Sequence, residues 1–87
     1  MPRYIAVHPI AFKDEDMLAL LARRDELPST LAWRASFVAE AHHMTYCEWD
    51  APNAGMLEEV FGAFGVPFLS VQEVRVFDPA EYLAKAA

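Results

Sequence analysis

The stretch Tyr46-Cys47-Glu48-Trp49-Asp50-Ala51-Pro52-Asn53, followed downstream by Gly65-Val66-Pro67, reads as a strand running into a helix and the helix running to a stop. Residues 44–49 have strand character, and Asp-Ala-Pro-Asn breaks it. The side chain of Asn53 can accept a hydrogen bond from the free N–H groups that open a helix. Beyond it Met56, Leu57, Val60, Phe61 and Phe64 fall on one face at steps of one, three, one and three, which is a helical period. Gly65 then supplies the left-handed residue that ends such a helix.

Upstream of this junction, the spacing predicts a hairpin. Residues 31–38 alternate as a strand with Leu31, Trp33, Ala35 and Phe37 on one side, and the tip lies within residues 39–43. Residues 3–8 form a first, largely apolar strand that Pro9 terminates, because proline cannot donate to a ladder. Between them Asp14-Glu15-Asp16 suit the positive end of a helix and Arg23-Arg24 its negative end, with Met17, Leu20 and Leu21 turned inward and Leu18 at the margin. Pro28 and Ser29 close that segment. Residues 69–77 read as the fourth strand, and Asp78-Pro79-Ala80-Glu81 as a capped start for a final helical turn that docks Tyr82 and Leu83.

The order is β-α-β-β-α-β in one domain over residues 1–87, the split pattern of an α+β, ferredoxin-like sandwich: a four-stranded antiparallel sheet with two helices on one face. Its other face has no cover. Ile5 and Val7 stand opposite Tyr4 and Ala6, and Val71 opposite Val74, so both faces carry apolar side chains where an isolated sheet would be polar on one. The expectation is a homodimer packed sheet face to sheet face, as in dimeric α+β barrels.

Composition supports this. A chain of 87 residues buries only about 60% of its unfolded surface on folding, yet 55% of this one is apolar and 13% aromatic. Seven Lys and Arg against thirteen Asp and Glu give a net charge of −6, which opposes nucleic-acid and anionic-membrane partners. The single Cys47 excludes an intrachain disulfide, and no long apolar stretch marks a signal peptide or membrane span, so a cytoplasmic protein is expected. No phosphate-binding glycine loop, Gly-x-Ser-x-Gly turn or Cys-x-x-Cys pair is present, which makes the ATPase, Rossmann dehydrogenase and α/β-hydrolase readings poor.

Cys47, Asp50-Ala51-Pro52-Asn53, Gly65-Val66-Pro67 and Val71-Gln72-Glu73-Val74 resemble a family of small bacterial ferredoxin-like domains of unknown function that includes an actinobacterial nickel-binding protein. The likeness is strongest over residues 46–74 and extends more loosely to the first strand. It implies a ferredoxin-like fold, dimerisation, and binding of nickel, another divalent transition metal or a small ligand. Members of that family carry a histidine four residues before the glycine. Phe61 stands there in this chain.

Three histidines are the candidate metal ligands. The first strand runs up to His8 and the third runs down from His43, so His8, His42 and His43 are expected at one end of the sheet, and neutral imidazoles suit nickel, zinc or copper. The alternative for the pair is a solvated turn, since neighbouring residues in extended backbone point oppositely. Cys47, roughly 13 Å along the strand from His43, lies outside that cluster and reads as a buried, inert thiol. Glu48 and Asp50 share one side of their strand, and Asp50 is explained by hydrogen bonding at the helix junction.

Three functions remain open on these residues. One is a non-enzymatic binding module for a transition metal or small ligand. The second is a cofactor-independent monooxygenase or isomerase of the dimeric α+β-barrel type, with Tyr4, His8, Trp33, Tyr46 and Glu48 as ligand-positioning or proton-transfer residues. The third is a structural or regulatory dimerisation domain.

Overall fold

The computed structural model describes residues 1–86. Strands β1 (Arg3–His8), β2 (Ala32–Ala39), β3 (Met44–Asp50) and β4 (Ser70–Val74) alternate with helices α1 (Asp14–Leu21) and α2 (Ala54–Ala63), and α3 (Pro79–Ala86) follows. The sheet order is β2-β3-β1-β4 with every neighbouring pair antiparallel, which is the ferredoxin-like arrangement.

Both ends of α2 are local chemistry. Asn53 Oδ1 accepts from the Met56 N–H at 3.0 Å, satisfying one of the free donors of the first turn. At the other end Gly65 adopts φ 68°, the Gly65 N–H donates to Gly62 O at 3.2 Å and the Val66 N–H to Phe61 O at 2.8 Å. This is a Schellman stop, and the left-handed residue it needs is the glycine. Leu57 and Phe61 of the helix are buried against Tyr4, Ala6, Cys47 and Trp49 of the sheet. Helix α1 starts at Lys13, whose N–H donates to Asp16 Oδ2, but it buries no residue. It ends at Leu21 with no basic residue in its last turn: Arg23 precedes, and Arg24 opens, a following 3₁₀ turn over Arg24–Glu26.

Alternation in β1 is regular: Tyr4, Ala6 and His8 face the helices, and Arg3, Ile5 and Val7 the open side. In β2 it is not. Trp33 pairs with Trp49 and Ala35 with Glu48, so Arg34 is an extra residue bulged out of register. The expected common side of Trp33, Ala35 and Phe37 is therefore broken. Trp33 goes to the core layer with Trp49, while Ala35 and Phe37 share the open face with Glu48 and Tyr46.

Two further differences lie at the carboxyl end. Strand β4 stops at Val74, opposite Arg3, instead of reaching Phe77. The next partner would be Pro2, which has no N–H to continue the ladder. Asp78 Oδ1 does accept from the Ala80 N–H at 3.0 Å and a helix does follow, but Tyr82 and Leu83 do not dock: they are 57% and 72% exposed. The segment leaves the sheet after Val74, and the Phe77 and Tyr82 rings stack on each other at 4.8 Å.

Candidate functional site

Between the helices and the sheet, His8 ends β1 with its ring turned inward and only 1% exposed. Its Nδ1 lies 2.7 Å from Pro67 O, and since a carbonyl can only accept, Nδ1 carries the proton and Nε2 the lone pair. The rings of Phe12 and Phe61 meet it edge-on at 5.3 and 5.0 Å. Burial in this apolar setting pushes the imidazole pKa down from 6.5, opposed by the Pro67 carbonyl. Next to it Thr45 Oγ1 donates to Ile10 O at 2.6 Å and accepts from the Phe12 N–H at 3.1 Å, tying the segment after Pro9 to the sheet.

Further along the same layer is a small polar chain inside an apolar wall. Trp33 Nε1–H donates to Ser36 Oγ at 2.8 Å, and Ser36 Oγ lies 3.0 Å from Cys47 Sγ. Burial raises the Cys47 thiol pKa, more than the Ser36 hydrogen bond lowers it, so the thiol is protonated and a poor nucleophile or metal ligand. Trp49 stacks on Trp33 at 5.7 Å and is buried, and its Nε1–H has no acceptor. A cavity of about 30 Å³ lies here, walled by His8, Phe12, Trp33, Cys47, Trp49 and Phe61 together with residues of α1 and α2.

The open face is organised around Arg3. Its Nε donates to Asp50 Oδ1 at 2.6 Å and its Nη1 to Glu48 Oε2, and Arg34 Nη1 approaches Asp50 Oδ2 at 3.4 Å. Hydrogen bonding to Arg3, ahead of the charges of Arg3 and Arg34, holds the Asp50 carboxyl below its usual 3.8. The Asp50 carboxylate therefore bonds to this face instead of to the helix junction, where Asn53 alone supplies the cap. The parity of Arg3 with Ile5 and Val7 was readable; its pairing with Glu48 and Asp50 required the β1–β3 register.

The five ligand candidates accordingly divide between two surfaces. Tyr4, His8 and Trp33 belong to the helix-covered layer, whereas Tyr46 and Glu48 lie on the open face. His42 and His43 are exposed in the β2–β3 connection, a 3₁₀ turn over Glu40–His42 closed by His43 at φ 55°. His8 is buried and pairs directly with Thr45, two residues along β3 from His43. Trp49 lines this layer as an aromatic strand residue can, but its unpaired indole N–H and the bulge at Arg34 both depend on neighbours distant in sequence.

An antiparallel sheet with one face covered by helices, an apolar interior holding a neutral imidazole, and an open second face define a small α+β domain of the ferredoxin-like type. The family model described as nickel responsive protein SCO4226-like matches residues 5–74, nearly the whole of the four-stranded sheet, and this chain belongs to that family. No curated protein and no solved structure gives a match.

Nickel takes several nitrogen, sulfur or oxygen donors. Among the described residues no three of His, Cys, Asp and Glu come together in a way that could hold a metal ion. The side chains of one copy, over those residues, do not form a complete nickel site. No helix of the described residues is long and apolar enough to cross a membrane.

Proposed function

We infer that this protein is a non-enzymatic, nickel-responsive binding module acting in the cytoplasm as a homodimer joined through the open sheet faces. Membership of the nickel responsive family over residues 5–74 carries the reading. Support for the dimer comes from the open face, where Phe37 is 58% exposed and Tyr46 stands beside it, with Ile5 and Val7 in the neighbouring strand. Leaving such a face in water is costly, and a second copy of the same face removes it. The metal contacts in this reading are the exposed imidazoles of His42 and His43, completed by donors of the second copy, since one copy offers no group of three among the described residues. His8, buried with its Nδ1–H committed to Pro67, ties the end of β1 to the segment that follows α2.

Native mass spectrometry with added nickel tests both parts on one sample. The expected result is a dimer that takes up nickel, with uptake lost in a His42→Ala, His43→Ala double variant that remains dimeric. A monomer at micromolar concentration overturns the dimer, and undiminished nickel uptake by the double variant overturns the assignment of the two histidines.

A further inference from the structure

The interior cavity has a feature that core packing alone does not explain. Trp49 is buried and its Nε1–H reaches no acceptor, although leaving a buried donor unpaired carries its full desolvation cost. Indole nitrogens in protein cores nearly always find a partner. Here the ring forms part of the wall of an apolar cavity instead.

The cavity is also poorly sealed on one side. A surface groove of about 430 Å³ runs between α1 and the carboxyl end of α2, past Gly65 and Pro67. Groove and cavity have Phe12, Leu20, Phe64 and Val66 in common as lining residues. Helix α1, which contributes Met17 and Leu20 to the cavity, buries none of its own residues fully, which makes it the less firmly anchored of the two covering helices. Arg23 sits at this groove with its guanidinium 4.2 Å from the Phe64 ring centroid, held by paired hydrogen bonds to Glu26.

We propose that this cavity is a binding site for a small aromatic molecule bearing a hydrogen-bond acceptor, entering through the groove beside α1 and accepting from Trp49 Nε1–H. The surrounding rings of Phe12, Trp33 and Phe61 supply the apolar contact such a molecule needs. At about 30 Å³ the resting cavity has the volume of a single water, whereas a benzene-sized ring needs about 150 Å³. Binding therefore displaces α1 outward. The site uses neither His42 nor His43, and it stands or falls separately from the nickel reading.

Acetophenone, an aromatic ring with one carbonyl acceptor, and ethylbenzene, its acceptor-free counterpart, are the probes. Titration of the nitrogen-15-labelled protein is followed by NMR, with the Trp49 indole resonance assigned from its disappearance in Trp49→Phe. The expected result is a saturable shift of that resonance and of α1 amides with acetophenone, and binding of ethylbenzene about tenfold weaker, the loss of one neutral hydrogen bond. Cys47→Met fills the cavity from the sheet and should abolish the response. If that variant loses the native spectrum, Val60→Leu fills it from α2. No saturation at millimolar acetophenone, equal affinity for the two probes, or shifts confined to Phe37 and Tyr46 on the open face would each overturn the proposal. So would a persistent contact between the Trp49 indole proton and a bound water that acetophenone does not displace.

Discussion

Trp33 and Trp49 lie opposite one another in β2 and β3 and stack with ring centroids 5.7 Å apart and planes within 10°. Their contact depends on the bulge at Arg34, which puts Trp33 on the covered face while the rest of β2 keeps Ala35 and Phe37 on the open one. The pair bounds the interior cavity from the sheet side. It links strand register directly to the shape of a candidate binding site.

Trp33→Ala removes this stack and the donor to Ser36. Large aromatic truncations in a core cost about 3–5 kcal/mol, and because Trp33 is only half-buried the lower end, about 3 kcal/mol, is expected. Urea denaturation of parent and variant measures it. A loss under about 1 kcal/mol would mean that the stack contributes little beyond occupying space.

Asn53→Ala should destabilise the protein by about 1 kcal/mol, through loss of the hydrogen bond to the Met56 N–H. Nickel uptake should be unaffected, because the cap and the two histidines lie beyond opposite ends of β3 and the cap bonds only to Met56. A lower denaturation midpoint with unchanged metal stoichiometry is the expected pattern.

The buried His8 predicts a pH dependence of definite sign. Its folded pKa lies below the ordinary 6.5, so the unfolded chain binds the proton more readily than the native state does. The contribution is fully present above about pH 6.5 and is lost progressively as pH falls below it toward the depressed native value. His8→Gln retains an N–H for Pro67 O and cannot titrate. Denaturation midpoints compared between roughly pH 8 and pH 5 should show the parent losing more stability than the variant. Parallel curves would show that His8 charges in place without cost.

Arg3 makes the opposite face acid-sensitive. The Asp50 pKa is depressed in the native state, so its ionised form stabilises the fold above about pH 3.8, and this is lost as pH drops through the lower native value. Arg3→Met should weaken the protein at neutral pH, and the gap between variant and parent should narrow as acid protonates Asp50. Acid unfolding followed by circular dichroism gives the comparison. A gap that is constant with pH would assign the effect of Arg3 to packing alone.

What the sequence determined by itself is what short-range physics controls. The Asn53 cap and the Gly65 stop each involve partners within five residues, so the bounds of α2 follow from residue type. The order of elements and the two-sided apolar pattern of β1 came from periodicity, and with them the ferredoxin-like sandwich. Tertiary structure decided the rest. The Arg34 bulge exists only because β2 must pair with β3 in two registers, and the end of β4 at Val74 reflects Pro2 in the neighbouring strand. The exposure of Tyr82 and Leu83 depends on where the chain leaves the sheet, not on the Asp78 cap that starts their helix correctly. His8 looked like a partner for His42 and His43 along the chain. Its burial against Phe12 and Phe61, and the cavity it shares with Trp49, arise from which face of β1 the helices cover, and that is set by long-range packing such as that on Phe61, more than fifty positions away.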